Sequence, residues 1–179
     1  NGRNIAVTGE NRKAFALLYA RYYLFENVRM QMNAFEQGFC FLMSPTAMEI
    51  LSPAELEALV CGESFLDFEG LRKNTKYDGG YSESTPIVTW FWDVVLGKDV
   101  MTLEQRKKLL FFITGADRAP VGGLGTLRLI IQRAGPDDTK LPTAHTCFNV
   151  LLLPEYSSKE KLLRLLLIAI ENAQGFGLQ

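Results

Sequence analysis

Helical spacing dominates the first half of the chain. Phe15, Leu18, Tyr19, Tyr22 and Tyr23 recur at i, i+3, i+4, i+7 and i+8, which predicts an amphipathic helix. Thr8 is its expected N-cap and Glu10 falls in its favourable first turn, while Ile5-Ala6-Val7 before it reads as the end of a strand. A second helix is predicted over residues 28–37, with Val28, Met32 and Phe35 facing inward and a stop at Gly38. Ser52-Pro53-Ala54-Glu55 joins a capping box to a proline at the first helical position. Leu56, Leu59 and Val60 supply the apolar stripe of that helix, and Gly62 closes it.

Beyond residue 62 the two periods mix. Asp67 is placed to cap a short helix over 67–73, and residues 77–81 read as a turn or short hairpin. Thr85-Pro86 opens a helix with Ile87, Trp90, Phe91, Val94 and Val95 at helical spacing, closed by Gly97. Thr102-Leu103-Glu104-Gln105 is a second capping box, with its helix running to Thr114 and stopping at Gly115. Residues 117–125 are glycine-rich, but no Gly-Lys-Ser/Thr follows, so a structural turn is expected rather than a phosphate cradle. Leu127, Leu129 and Ile131 alternate with polar residues, as in a half-buried strand. Residues 148–153 read as a more deeply buried strand ended by Pro154. Ser157-Ser158-Lys159-Glu160 is a third capping box, and the helix after it, to Asn172, is apolar on most sides. The expected class is α+β: a helical N-terminal fragment, then helices packed on a small sheet.

Composition narrows the function more than the fold. With 179 residues, 47% of them apolar, and a net charge of −1, the chain suits one sizeable domain or two small ones. Near-neutral charge without basic clusters argues against nucleic acid as the main partner. No apolar run is long enough to insert in a bilayer, because residues 162–170 are short and broken by Arg164. Three cysteines without a Cys-x-x-Cys make neither a disulfide framework nor a zinc cluster, so no cofactor or metal is expected. Cys40 and Cys61 sit in apolar runs and read as core fillers, in keeping with a reducing, intracellular setting, cytoplasmic or nuclear. The opening at Asn1-Gly2, without Met, is expected of a piece of a longer chain.

The chemistry concentrates in residues 141–149, Leu-Pro-Thr-Ala-His-Thr-Cys-Phe-Asn. Pro142 biases this stretch toward an extended course, in which residues i and i+2 share a face. His145, the single histidine, and Cys147 would then stand side by side, and a nearby imidazolium favours the nucleophilic thiolate. Against this stands the ordinary reading of such a cysteine as a small buried hydrophobe.

Leu141-Pro142-x-x-His145-Thr146-Cys147-Phe148-Asn149, followed by Leu153-Pro154-x-Tyr156, resembles the active-site cysteine motif of HECT-type ubiquitin ligases. Tyr77, Phe91-Trp92, Thr114-Gly115, Arg118-x-Pro120 and the end Gly175-Phe176-Gly177-Leu178-Gln179 extend the likeness over essentially the whole chain. Its wording is closest to the branch containing the Angelman-syndrome ubiquitin ligase. The resemblance implies that residues 1–61 are the end of an N-lobe, 62–64 a hinge and 65–179 a C-lobe. It implies that Cys147 takes ubiquitin from a conjugating enzyme as a thioester and passes it to a lysine of a protein substrate. His145 and Thr146 would shape and polarise the site, and Phe176 would serve the transfer step. Phe15 and Tyr19 would contact the conjugating enzyme, and Leu141 the donor ubiquitin, with a plain core leucine as its alternative.

Two other functions remain open at this level. A cysteine protease or deubiquitinase would need a histidine brought in from elsewhere, whereas the one histidine here neighbours the cysteine. A non-catalytic interaction module would rest on the aromatic stripe around Phe15 and Tyr19.

Overall fold

The computed structural model describes residues 2–173. The chain forms two compact units, Asn1–Leu56 and Glu57–Gln179.

In the first unit, helix α1 (Arg12–Arg21) continues through a π-helical turn, Tyr22–Glu26, and is followed by α2 (Arg29–Leu42) and the short α3 (Pro45–Glu49). The strand expected at Ile5-Ala6-Val7 is absent, and those residues are irregular. Thr8 does not cap α1 directly: it exchanges hydrogen bonds with Asn11, which becomes the N-cap residue, so the helix starts at Arg12. Helix α2 runs through Gly38 instead of stopping there. One glycine inside a helix costs only about 1 kcal/mol, and Phe39-Cys40-Phe41-Leu42 sustain the helical course beyond it. None of the described residues of this unit is buried: its aromatic stripes are exposed and Cys40 is only partly covered, not a core filler.

Helix α4 (Pro53–Cys61) starts where its capping box predicts, with reciprocal bonds between Ser52 and Glu55. Cys61 at its end is exposed rather than core. The second unit then builds a single core. Helix α5 (Phe68–Lys73) is capped by Asp67, which accepts from the Gly70 N–H, and α6 (Pro86–Leu96) follows its Thr85-Pro86 start. Helix α7 (Leu103–Thr114) has the full Thr102/Gln105 capping box and ends at Gly115 in the left-handed conformation. Helix α8 (Lys159–Asn172) is capped by Ser158. Val88, Phe91, Trp92, Leu109, Leu110, Ile113, Leu162, Leu166 and Ile170 meet Ile131, Leu151 and Leu153 of the sheet in that core.

The sheet has four short strands, β1 (Lys76–Asp78), β2 (Ile130–Arg133), β3 (Thr143–His145) and β4 (Val150–Leu153), in the order β1-β2-β4-β3. β1 and β4 both run parallel to β2, and β3 is antiparallel to β4. Residues 77–81 therefore take the turn of the two forms expected, with the Tyr81 N–H donating to the Asp78 carbonyl, and make no hairpin, because β1 pairs with a strand some fifty residues further on. The alternation at 127–131 overstates β2, because a 3-10 turn, Leu124–Thr126, precedes it and the ladder begins at Ile130. The α+β class stands.

Candidate functional site at the β3–β4 hairpin

Three residues of β3 pair with three of β4, and the register closes at His145 opposite Val150. The four residues between, 146–149, are the hairpin loop, and Thr146–Phe148 form a 3-10 turn at its tip. Cys147 is exposed on that turn. The extended course expected for His145 and Cys147 stops at His145, so the two do not alternate along one strand face. Among the described residues neither side chain has a hydrogen-bond partner.

Asn149 turns the chain back into β4. It is the only described residue other than glycine with positive φ (51°, ψ 46°), a conformation asparagine tolerates better than most residues. Its N–H donates to the Thr146 carbonyl at 3.3 Å, and its carbonyl accepts from the Ile130 N–H at 2.9 Å. The backbone reversal that presents the cysteine is thus tied at one side to the turn and at the other to β2. The signal for this turn in the sequence is an asparagine closing a short loop before an apolar run. Phe148, expected at the start of the buried strand, lies instead on the turn and is 74% exposed beside Cys147.

The hairpin is held from behind. Helix α7 packs against both β3 and the turn. The segment leading into β3 is pinned by the Lys161–Asp138 ion pair at 2.7 Å, by Tyr156 Oη donating to the Lys140 carbonyl at 2.8 Å, and by the Ala134 N–H donating to the Leu153 carbonyl at 3.0 Å. Tyr81 Oη donates to the same Leu153 carbonyl at 2.9 Å. Burial, with Glu155 nearby, pushes the Tyr81 phenol up to about 12, so it stays a donor. Burial raises Tyr156 as well. The Lys161 and Ser157 hydrogen bonds lower the Asp138 carboxyl, and the Arg133 hydrogen bond lowers Glu155.

Leu141 and His145 are exposed on this hairpin and its approach, and Thr146 is half-buried. Leu141, 42% exposed, is not a core leucine. Phe15 and Tyr19 stack on each other at 5.9 Å on α1 and belong to the other unit. Phe176 lies outside the described residues. Cys147 lines neither of two concavities of about 420 and 290 Å³, one around Lys76 and Arg128, the other around Phe111 and Ile170. An exposed thiol at a hairpin tip suits a large partner that brings its own reactive group better than a small molecule that must be enclosed. No group of His, Cys, Asp and Glu among the described residues could hold a metal ion.

Residues 1–179 match the HECT-domain (ubiquitin-transferase) family over their full length. The chain belongs to that family. This HECT chain is 44% identical over 178 residues to the probable E3 ubiquitin-protein ligase HECTD2 of Homo sapiens, covering 99% of this chain and 22% of that protein. It is 41% identical over 184 residues to the E3 ubiquitin-protein ligase pub3 of Schizosaccharomyces pombe, 99% of this chain and 23% of that protein. It is 38% identical over 179 residues to the probable E3 ubiquitin-protein ligase HUL4 of Eremothecium gossypii, 99% and 21%. The chain therefore spans about a fifth of the length of these relatives. They carry the family but lend no support to the narrower likeness to the Angelman-syndrome branch.

Several residues of the family likeness have structural work. The Trp92 indole N–H donates to the Tyr77 hydroxyl at 3.0 Å, joining α6 to β1. Thr114 closes the last turn of α7 on the Leu110 carbonyl, and Arg118 pairs with Glu57.

Proposed function

We propose that this HECT chain is the cysteine-bearing end of a ubiquitin-protein ligase, with Cys147 as its nucleophile. The observation that carries the reading is the exposed thiol on the turn of a hairpin anchored to β2 and α7. The Cys147 thiolate attacks the carbonyl carbon of a ubiquitin thioester on a conjugating enzyme and expels that enzyme's cysteine thiolate. One thioester replaces another, an exchange close to even in free energy, so presentation matters more than acid-base machinery. A substrate lysine amine then attacks the new thioester. An isopeptide bond forms, the amine loses a proton to solvent, and Cys147 leaves as thiolate.

His145 and Thr146 flank the thiol and are assigned to shaping the site, and Leu141, exposed on the approach to β3, to contact with donor ubiquitin. Phe15 and Tyr19 are assigned to the conjugating enzyme, and Phe176 to holding the loaded cysteine for attack by lysine. In this reading residues 1–61 are the end of an N-lobe, 62–64 the hinge and 65–179 the C-lobe, in an intracellular protein. A protease has less support, since the one histidine of these 179 residues has no hydrogen bond to Cys147, whereas a cysteine protease pairs its thiol with an oriented histidine.

The test is loading in the full-length ligase. Cys147→Ala abolishes the reductant-sensitive ubiquitin adduct, while Cys40→Ala and Cys61→Ala retain it. Normal loading of a folded Cys147→Ala protein refutes the proposal.

A further inference from the structure

Residues 57–63 are bound to the loop at 118–122 by four contacts within the second unit. The Glu63 N–H donates to the Ala119 carbonyl at 2.7 Å, and the Ala119 N–H returns a bond to the Glu63 carbonyl at 2.9 Å. The Gly122 N–H donates to Glu63 Oε1 at 2.9 Å, and Arg118 Nη1 donates to Glu57 Oε1 at 3.0 Å. Gly62 makes the approach possible. Its φ of +84° is left-handed, and a Cβ there would clash with the Ala119 carbonyl oxygen. Ala119 itself is fully buried, so the loop side of the contact is rooted in the core. The other side is two glutamates on a helix end and the residues after it.

We propose that these contacts form a latch across residues 62–64, and that the backbone there is free to rotate only when the latch opens. The inference rests on the hinge assignment made under Proposed function. A segment that must absorb backbone rotation cannot do so while its N–H and C=O groups are both paired. The closed latch is poised to open. Arg118 Nε is buried without a partner among the described residues, an unsatisfied donor that lowers the cost of releasing the guanidinium. The Glu57–Arg118 pair is partly exposed, so it adds little to closure on its own. Glu63, by contrast, accepts and donates in three of the four contacts and is the centre of the device.

Amide exchange in the full-length protein tests the latch without reference to ligase chemistry. In the parent, the Glu63, Ala119 and Gly122 amides exchange slowly and as one group, faster than the amides of α6 and α8. Glu57→Gln with Arg118→Gln speeds exchange at Glu63 roughly two- to fivefold, although neither substituted residue bonds that amide. Gly62→Ala, which is strained and meets the Ala119 carbonyl, speeds it by about tenfold or more. Unchanged α6 and α8 amides show that each variant is folded; if Gly62→Ala disturbs them, the surface double variant decides. Parent exchange at Glu63 as fast as in an open loop, or no response to the double variant, overturns the latch.

A second readout separates a latch from simple bracing. Releasing a two-state element shifts its equilibrium, so the steps served by its two states respond oppositely. Single-turnover loading of Cys147 and discharge to lysine should therefore change in opposite senses in Glu63→Ala. Both rates falling together, with exchange at 119 and 122 unaltered, overturns it. Failure of loading at Cys147 in the parent would instead refute the ligase assignment and leave the exchange result standing.

Discussion

The backbone at Asn149 offers the sharpest test of how the cysteine is presented. Its φ of 51° and ψ of 46° are left-handed, a conformation that costs an ordinary L-residue about 1–2 kcal/mol. The carbonyl and N–H of Asn149 are bonded to different partners, Ile130 and Thr146, so the loop cannot relax to negative φ without losing one of them. Asn149→Ala should therefore lose about 1 kcal/mol, and Asn149→Val, β-branched and least tolerant of positive φ, about 2 kcal/mol. Asn149→Gly should lie within about 0.5–1 kcal/mol of the parent, since glycine adopts the conformation freely but raises the entropy of the unfolded chain. For a unit of this size about 1 kcal/mol corresponds to a melting shift of roughly 3–6 °C. The assay is thermal unfolding of the three variants beside single-turnover thioester loading and exchange of the Ile130 amide. The expected order, parent and Gly, then Ala, then Val, should appear in all three. If Val matches Gly in melting, loading and Ile130 exchange, the left-handed turn does not set the presentation of Cys147.

Other expectations follow from particular contacts. Phe15→Ala and Tyr19→Ala should weaken affinity for the conjugating enzyme by about 1 kcal/mol or more each, with little change in stability, because both rings are half-exposed in the described chain; calorimetry against melting curves checks the split. Phe176→Ala should load Cys147 normally but discharge it slowly to lysine in a single-turnover chase. Phe91, almost fully buried in the core, should cost about 3–5 kcal/mol on truncation to Ala, seen as loss of the folded second unit in denaturant titration. Asp138 and Glu155 have lowered folded values, so their contribution is present above the ordinary carboxylate range and fades as pH falls through the lowered values. Acidification through that window should loosen residues 134–142 first, followed by amide exchange, and Lys161→Met should reduce the Asp138 share of the effect without abolishing it, because the Ser157 hydrogen bonds still lower that carboxyl.

What was legible in the sequence is what local chemistry decides. The capping boxes at Ser52 and Thr102, the Thr85-Pro86 start and the left-handed stop at Gly115 place helix ends because the bonds concerned span three or four residues. Letters 141–149 singled out Cys147 in the same way, as a run of neighbours. Tertiary structure alone decided the rest. Strands of three and four residues are too short for periodicity to locate, and their order β1-β2-β4-β3 rests on pairings between residues far apart in the chain. The helical spacing on α1 was real, yet spacing could not say that Phe15 and Tyr19 would be uncovered within their own unit. Alternation placed His145 beside Cys147 and Phe148 in a buried strand, because nothing local announces that the ladder ends at His145. That end is set by β2, whose Ile130 N–H captures the Asn149 carbonyl and forces the chain to turn early. The bonds from Glu57 and Glu63 to residues 118–122 likewise cross about sixty residues, a distance at which only the packed fold, and no pattern of neighbours, brings partners together.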